Sequence, residues 1–248
     1  TLEEYIKIYN YTQFNKIREN LSGKYMLMTD IELPSDYVPI EKFVGELIGS
    51  NENNLVKISF NNTSNGVFKT IFDKNISTNK EVKISNIEFN GAISATTSLI
   101  GAVAGSIDYV SSTNKFYLTN CINKTNISGV TDVGGFIGSA GGMTHLELKN
   151  LVNLGSISVS QFRAGGIAGN MNAGKIGFSK NFGSVNGKTS GGIVGRAKAS
   201  TISCCYNSGD VTGEMTGGII GDMYTSNCVI SNCYNTGSIT SSGTNTCG

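Results

Sequence analysis

Apolar residues in this chain come in short bursts separated by Gly, Asn, Ser and Thr, and the bursts repeat. A Gly-Gly-apolar-x-Gly unit stands at residues 134–138, 165–169, 191–195 and 217–221, with starts 31, 26 and 26 residues apart. Interleaved with it is a second unit, apolar-x-x-(Cys/Leu)-x-Asn-x-Gly-x-(Ile/Val). It is clearest at Ile202, Cys205, Asn207, Gly209 and Val211, and again at Ile230, Cys233, Asn235, Gly237 and Ile239. Leu148, Leu151, Asn153, Gly155 and Ile157 fit it. So do Ile176, Asn181, Gly183 and Val185, with Ser179 in the Cys slot, and Leu118, Cys121, Asn123 and Ile127, with Thr125 where Gly is expected. The first half carries a fainter copy at Ile84, Ile87, Phe89, Gly91 and Ile93, followed by residues 98–101, and one further back at Leu55, Ile58 and Phe60 before Gly66, Val67 and Phe68.

A unit of 26 to 37 residues cannot bury its own apolar positions and must stack on its neighbours. Each copy holds brief apolar bursts and no sustained helical stripe, which predicts three short strands per copy. The predicted fold is therefore all-β, a parallel β-helix of about seven coils forming a rod on the order of 40 Å long. Asn123, Asn153, Asn181, Asn207 and Asn235 fall where the chain must turn, so their amides are expected to hydrogen-bond from coil to coil. The paired glycines call for φ > 0 or for close backbone approach.

The N-terminus departs from the repeat. Thr12 is a predicted N-cap for a short capping α-helix over Gln13 to Leu21, with Phe14, Ile17 and Leu21 on one face and Gly23 ending it. A strand from Tyr25 to Leu33 follows, then both prolines, Pro34 and Pro39. Residues 1–50 thus read as cap and lead-in strand and residues 51–248 as repeat coils, one domain in all. A first residue of Thr rather than Met suggests a segment excised from a longer protein.

Composition supports this reading. Gly, Asn, Ser and Thr supply 110 of 248 residues, while hydrophobic residues still reach 39% and can fill a core. An all-helical chain is excluded by that mixture. With 19 Lys+Arg against 18 Asp+Glu, no net field steers the chain to nucleic acid. No long apolar run predicts membrane insertion.

The Gly-Gly-Ile-Val-Gly units, the stretch Ile230 to Ile239, and the segment Tyr25 to Leu33 with Pro39, Ile40, Phe43 and Gly45 resemble GLUG-repeat proteins. The resemblance implies a right-handed parallel β-helix on the outside of a bacterial cell. Such repeats occur in adhesin-like surface proteins and in the non-catalytic region of immunoglobulin A-cleaving metalloproteases. It implies an extracellular or cell-surface location and no catalysis, because those proteases carry a His-Glu-x-x-His zinc site elsewhere. Here the single histidine is His145.

No catalytic, metal or cofactor site is expected, since one histidine cannot serve a zinc centre or a triad. Cys121, Cys204, Cys205, Cys228, Cys233 and Cys247 lack Cys-x-x-Cys spacing and read as small buried residues, with Cys205 and Cys233 close enough to bridge if adjacent. The candidate binding residues are Arg163, Arg196, Asp210 and Asp222. Ser139, Asn170, Arg196 and Asp222 form a predicted column in which Arg196 and Asp222 can pair one coil apart, and Asp210 and Asp222 can come near each other, most simply as a solvated pair. The function expected is a monomeric, non-enzymatic module for adhesion, binding or stalk-like display, with a host protein or a glycan as partner. The alternative is a carbohydrate-active enzyme, a polysaccharide lyase or glycoside hydrolase, which needs clustered carboxylates or bases.

Overall fold

The computed structural model describes residues 4–73, 79–108, 113–225 and 227–247. Strands dominate, and every strand pairing is parallel, each strand lying on its equivalent in the neighbouring repeat. One inward column runs Tyr25, Leu47, Ile84, Leu118, Leu148, Ile176, Ile202, Ile230. A second runs Ile31, Ile58, Phe89, Asn123, Asn153, Asn181, Asn207, Asn235. Separate from these, six strands form a smaller parallel sheet, from Phe68–Ile71 to Ile220–Met223. Residues 24–49 pair with the layers above them just as the later repeats do, so pairing shows no break at residue 50.

The second column changes character at Asn123, and with it the chemistry of the core. Asn123, Asn153, Asn181 and Asn207 are completely buried. Each Nδ2 makes two hydrogen bonds. One goes to the carbonyl two residues on, as from Asn153 to Gly155 O at 2.8 Å and from Asn181 to Gly183 O at 2.8 Å. The other goes to Oδ1 of the next layer's Asn, at 2.6, 2.7, 2.7 and 2.6 Å from Asn123 up to Asn235. A backbone carbonyl only accepts, so the first bond fixes which end of each amide is the donor. The ladder is therefore directional.

The glycines serve close approach. A Cβ on Gly192 would lie 2.2 Å from Gly218 O and 2.3 Å from Asn207 Cγ, so the Gly-Gly unit is what lets the ladder fit. One on Gly209 would lie 2.0 Å from Gly183 O. Positive φ occurs at only two described glycines, Gly91 and Gly174. A left-handed corner instead falls at Asn86, Asn120, Asn150, Phe178, Cys204 and Asn232, with φ of 52 to 61° in a single column, a feature the repeat pattern does not announce. One residue past this corner, Cys121, Ser179, Cys205 and Cys233 each direct the side-chain S–H or O–H to the carbonyl two residues back, at 3.4, 2.9, 3.2 and 3.3 Å. That shared task explains why Ser replaces Cys there. These sulfurs are unbridged, as are Cys204 and Cys228, and burial pushes the Cys121 and Cys205 thiols up to about 12. The side chain of Cys247 lies outside the described residues.

Two expectations are corrected. The N-terminal helix spans Tyr11–Asn15 and continues as a 3-10 turn over Lys16–Glu19. Its N-cap is Asn10, not Thr12, because Asn10 is extended and its Oδ1 accepts from Gln13 N at 2.9 Å. Phe14 and Ile17 are buried as expected, whereas Leu21 lies beyond the helix and is only partly buried. Arg18 ties this segment down through the carbonyls of Val38 and Pro39. In the lower repeats, Val56 pairs with Ile87 and Ile58 with Phe89, two residues off the alignment of Ile58 with Ile87, and the register shifts again between Phe60 and Thr63.

Asn181→Ala strands a buried donor on Asn153 and a buried acceptor on Asn207. The expected loss is about 2–5 kcal/mol, read by urea denaturation. Asn235→Ala, at the end of the ladder, strands only the Asn207 donor and costs less, and equal losses would mean that the stranded ladder partners do not set the cost.

Candidate functional site

The outward positions of the smaller sheet stack as Thr70, Ser106, Ser139, Asn170, Arg196 and Asp222, so the predicted column is in register. Asn170 Nδ2 donates to Ser139 Oγ at 3.0 Å, and Arg196 Nε donates to Asp222 Oδ2 at 2.7 Å. The Arg196 guanidinium also lies over the Tyr224 ring, 4.3 Å from its centroid. Among the described residues, the buried Asn170 Oδ1 has no hydrogen-bond partner.

Arg163 belongs to the neighbouring column of Leu99, Asp132, Arg163, Thr189 and Met215. Its Nη1 reaches both Asp132 oxygens, at 3.0 and 3.1 Å. Burial pushes the Asp132 carboxyl up. The Arg163 charge and hydrogen bonds, and more weakly the Arg196 charge, pull it down, and burial prevails. Two Arg–Asp pairs thus share this strip.

Asp210 is elsewhere. It lies in the turn before the strand Val211–Gly217, where Oδ1 accepts from Ser238 N at 3.2 Å. Asn126 does the same for Ser156 N at 2.9 Å, so Asp210 steadies a turn of the next layer. Asp210 and Asp222 have separate partners, for Asp222 sits in the smaller sheet and is held by Arg196. His145 is exposed. Among the described residues no three His, Cys, Asp or Glu side chains converge to hold a metal. No described helix is long and apolar enough to cross a membrane.

A groove of about 580 Å³ crosses the stack between Gln161, Phe162, Asn186, Gly187, Lys188 and Glu214. Gly187 lets the backbone pass close to the core here, since a Cβ there would meet Val159 Cγ1 at 2.2 Å. Phe162 is 49% exposed at its side, and Lys188 pairs with Glu214 at 3.5 Å. Sequence reasoning misses this groove because its residues come from successive repeats. The readable signal is an unpatterned Phe beside Gln, with Asn-Gly-Lys one repeat later.

No family model matches the chain, and no curated protein matches it. Among solved structures, the chain is similar to a "putative immunoglobulin A1 protease" from Bacteroides ovatus, with 19% identity and a TM-score of 0.68, over 100% of this chain and 85% of that one. At that identity the likeness establishes a shared fold.

Removing Arg163 leaves Asp132 facing burial with little opposing charge. A carboxyl whose folded pKa exceeds its unfolded value weakens the fold at neutral pH, and the penalty vanishes as pH falls through the folded value. Arg163→Ala is expected to cost about 1–3 kcal/mol at pH 7, and clearly less below about pH 4. Urea denaturation at both pH values checks this, and equal losses would assign Arg163 to packing alone.

Proposed function

We propose that the stacked repeats wind as a right-handed parallel β-helix of the GLUG type, acting as a non-enzymatic module for binding or display on the outside of a cell. One observation carries this reading. The charged candidates spend their groups on adjacent layers: Arg163 on Asp132, Arg196 on Asp222, and Asp210 on the Ser238 amide. Groups so engaged hold layers together and are poorly placed to exchange protons with a substrate. The fold shared with the Bacteroides ovatus protein supports a role as the non-catalytic part of a secreted or surface protein.

Contact with a partner then falls to the groove at Phe162. An exposed ring edged by Gln161, Asn186 and a Lys–Glu pair suits the apolar faces and hydroxyls of a glycan, or a polar loop of a host protein. The module works as a monomer.

The test incubates the purified chain with polygalacturonate, other uronic-acid polymers and immunoglobulin A, with calcium or zinc present, and screens it on glycan and host-protein arrays. No cleavage is expected. Binding should fall about tenfold with Phe162→Ala and survive Asp210→Ala and Asp222→Ala. Turnover abolished by Arg163→Ala, Asp210→Ala or Asp222→Ala would overturn the reading in favour of an enzyme.

A further inference from the structure

The column Asp132, Arg163, Thr189 and the column Ser139, Asn170, Arg196 run side by side along the stack, the two members of a layer seven residues apart in the chain. Glycine brings them together. A Cβ on Gly169 would lie 2.6 Å from Val133 N and 2.9 Å from Asp132 C, and one on Gly195 would lie 2.8 Å from Ala164 O. The Arg196 charge accordingly reaches the Asp132 carboxyl across the strip.

The hydrogen bonds along this strip leave groups over. Asn170 is 8% exposed, and its Nδ2 donates to Ser139 Oγ, so Oδ1, on the other arm of the planar amide, is turned away from Ser139 and has no partner among the described residues. Arg163 uses only Nη1 on Asp132, and Arg196 only Nε on Asp222. Tyr224 covers the face of the Arg196 guanidinium and leaves its in-plane N–H groups. Nε and Nη2 of Arg163 and both Nη groups of Arg196 are therefore spare donors among the described residues. Their side chains are 25% and 27% exposed, so a group arriving from solvent reaches them. A buried acceptor thus sits between two sets of donors, with Arg163 in its own layer and Arg196 its register partner in the next.

Charge decides what fits there. Asp132 and Asp222 offset Arg163 and Arg196, so the four together carry no net charge at neutral pH when all are ionised. A carboxylate would take the arginine donors but set its own oxygens against Asn170 Oδ1, and an ammonium would take Oδ1 but face two guanidinium groups. A hydroxyl accepts from the one and donates to the other at once. We propose that Asn170, Arg163 and Arg196 form a binding site for the vicinal hydroxyls of a neutral sugar. One sugar oxygen accepts from Arg163, its neighbour accepts from Arg196, and one of the two hydroxyl hydrogens goes to Asn170 Oδ1. Asp132 and Asp222 act as positioning residues that hold the guanidinium groups. This site is separate from the groove at Phe162 and does not rest on it.

The test titrates the isotopically labelled full chain with the methyl glycosides of mannose, galactose and glucose, and with acetate and methylammonium as charged probes that lack a diol. The Asn170 side-chain amide and the Arg163 and Arg196 Nε–H signals are followed by NMR. At least one glycoside should shift all three saturably, with a Kd of about 1–10 mM, and neither charged probe should match it. Asn170→Leu removes the acceptor at similar volume, and Arg196→Lys keeps the charge beside Asp222 but removes the fork, so each should weaken binding about tenfold. The wild-type titrations decide the matter on their own if a variant fails to fold. Saturation by acetate at a lower concentration than any glycoside, shifts confined to Gln161, Phe162 and Lys188, or no shift of the three signals at about 100 mM glycoside would each overturn the proposal. So would unchanged binding in both folded variants.

Discussion

The architecture depends on a buried, directional row of amides. Parallel strands stacked in layers bury apolar side chains well, but apolar contacts tolerate a slip of two residues, which keeps every side chain on its own face. The ladder from Asn123 to Asn235 does not. A slip would leave fully buried donors and acceptors unpaired, each costing about 1–3 kcal/mol. Pairing in that column runs without a register shift from Asn123 upward. The register shifts instead fall outside that column, between Phe60 and Thr63 and between Gly213 and Met215.

That constraint reaches the rest of each layer. The amides need room, so Gly166 and Gly192 cannot carry a Cβ. The backbone can then pass close by, and the chain reverses into the smaller sheet, whose outward column sets Asn170, Arg196 and Asp222 one above another. Neighbouring layers thus supply both the core bonds and the partners of the surface charges. A molecule whose polar groups are committed along its own axis presents grooves to the outside, and the groove at Phe162 is one of them.

Legibility in the sequence follows the same division. Asn207 with Gly209 and the Gly191–Gly192 pair are readable because no other residues satisfy a buried ladder and a missing Cβ at once. The lower repeats are less so. Leu55, Ile58 and Phe60 are generic apolar residues, and a two-residue misalignment costs the pattern nothing, although the chain pairs Ile58 with Phe89. The left-handed corner escapes notice because Phe178 and Cys204 stand among its asparagines. The pairing of Arg196 with Asp222 follows from the period alone, whereas the partner of Arg163 does not, since Asp132 lies 31 residues back in a repeat of different length. The groove at Phe162 belongs to no motif.

The central claim is that the Asn side chains are structural donors sealed in the core. Hydrogen exchange of the side-chain amides of Asn153, Asn181 and Asn207, followed by NMR, tests it most directly. Protection comparable to the backbone amides of Ile176 and Ile202 is the predicted result. Exchange at the rate of a solvent-exposed asparagine at all three positions would contradict the account.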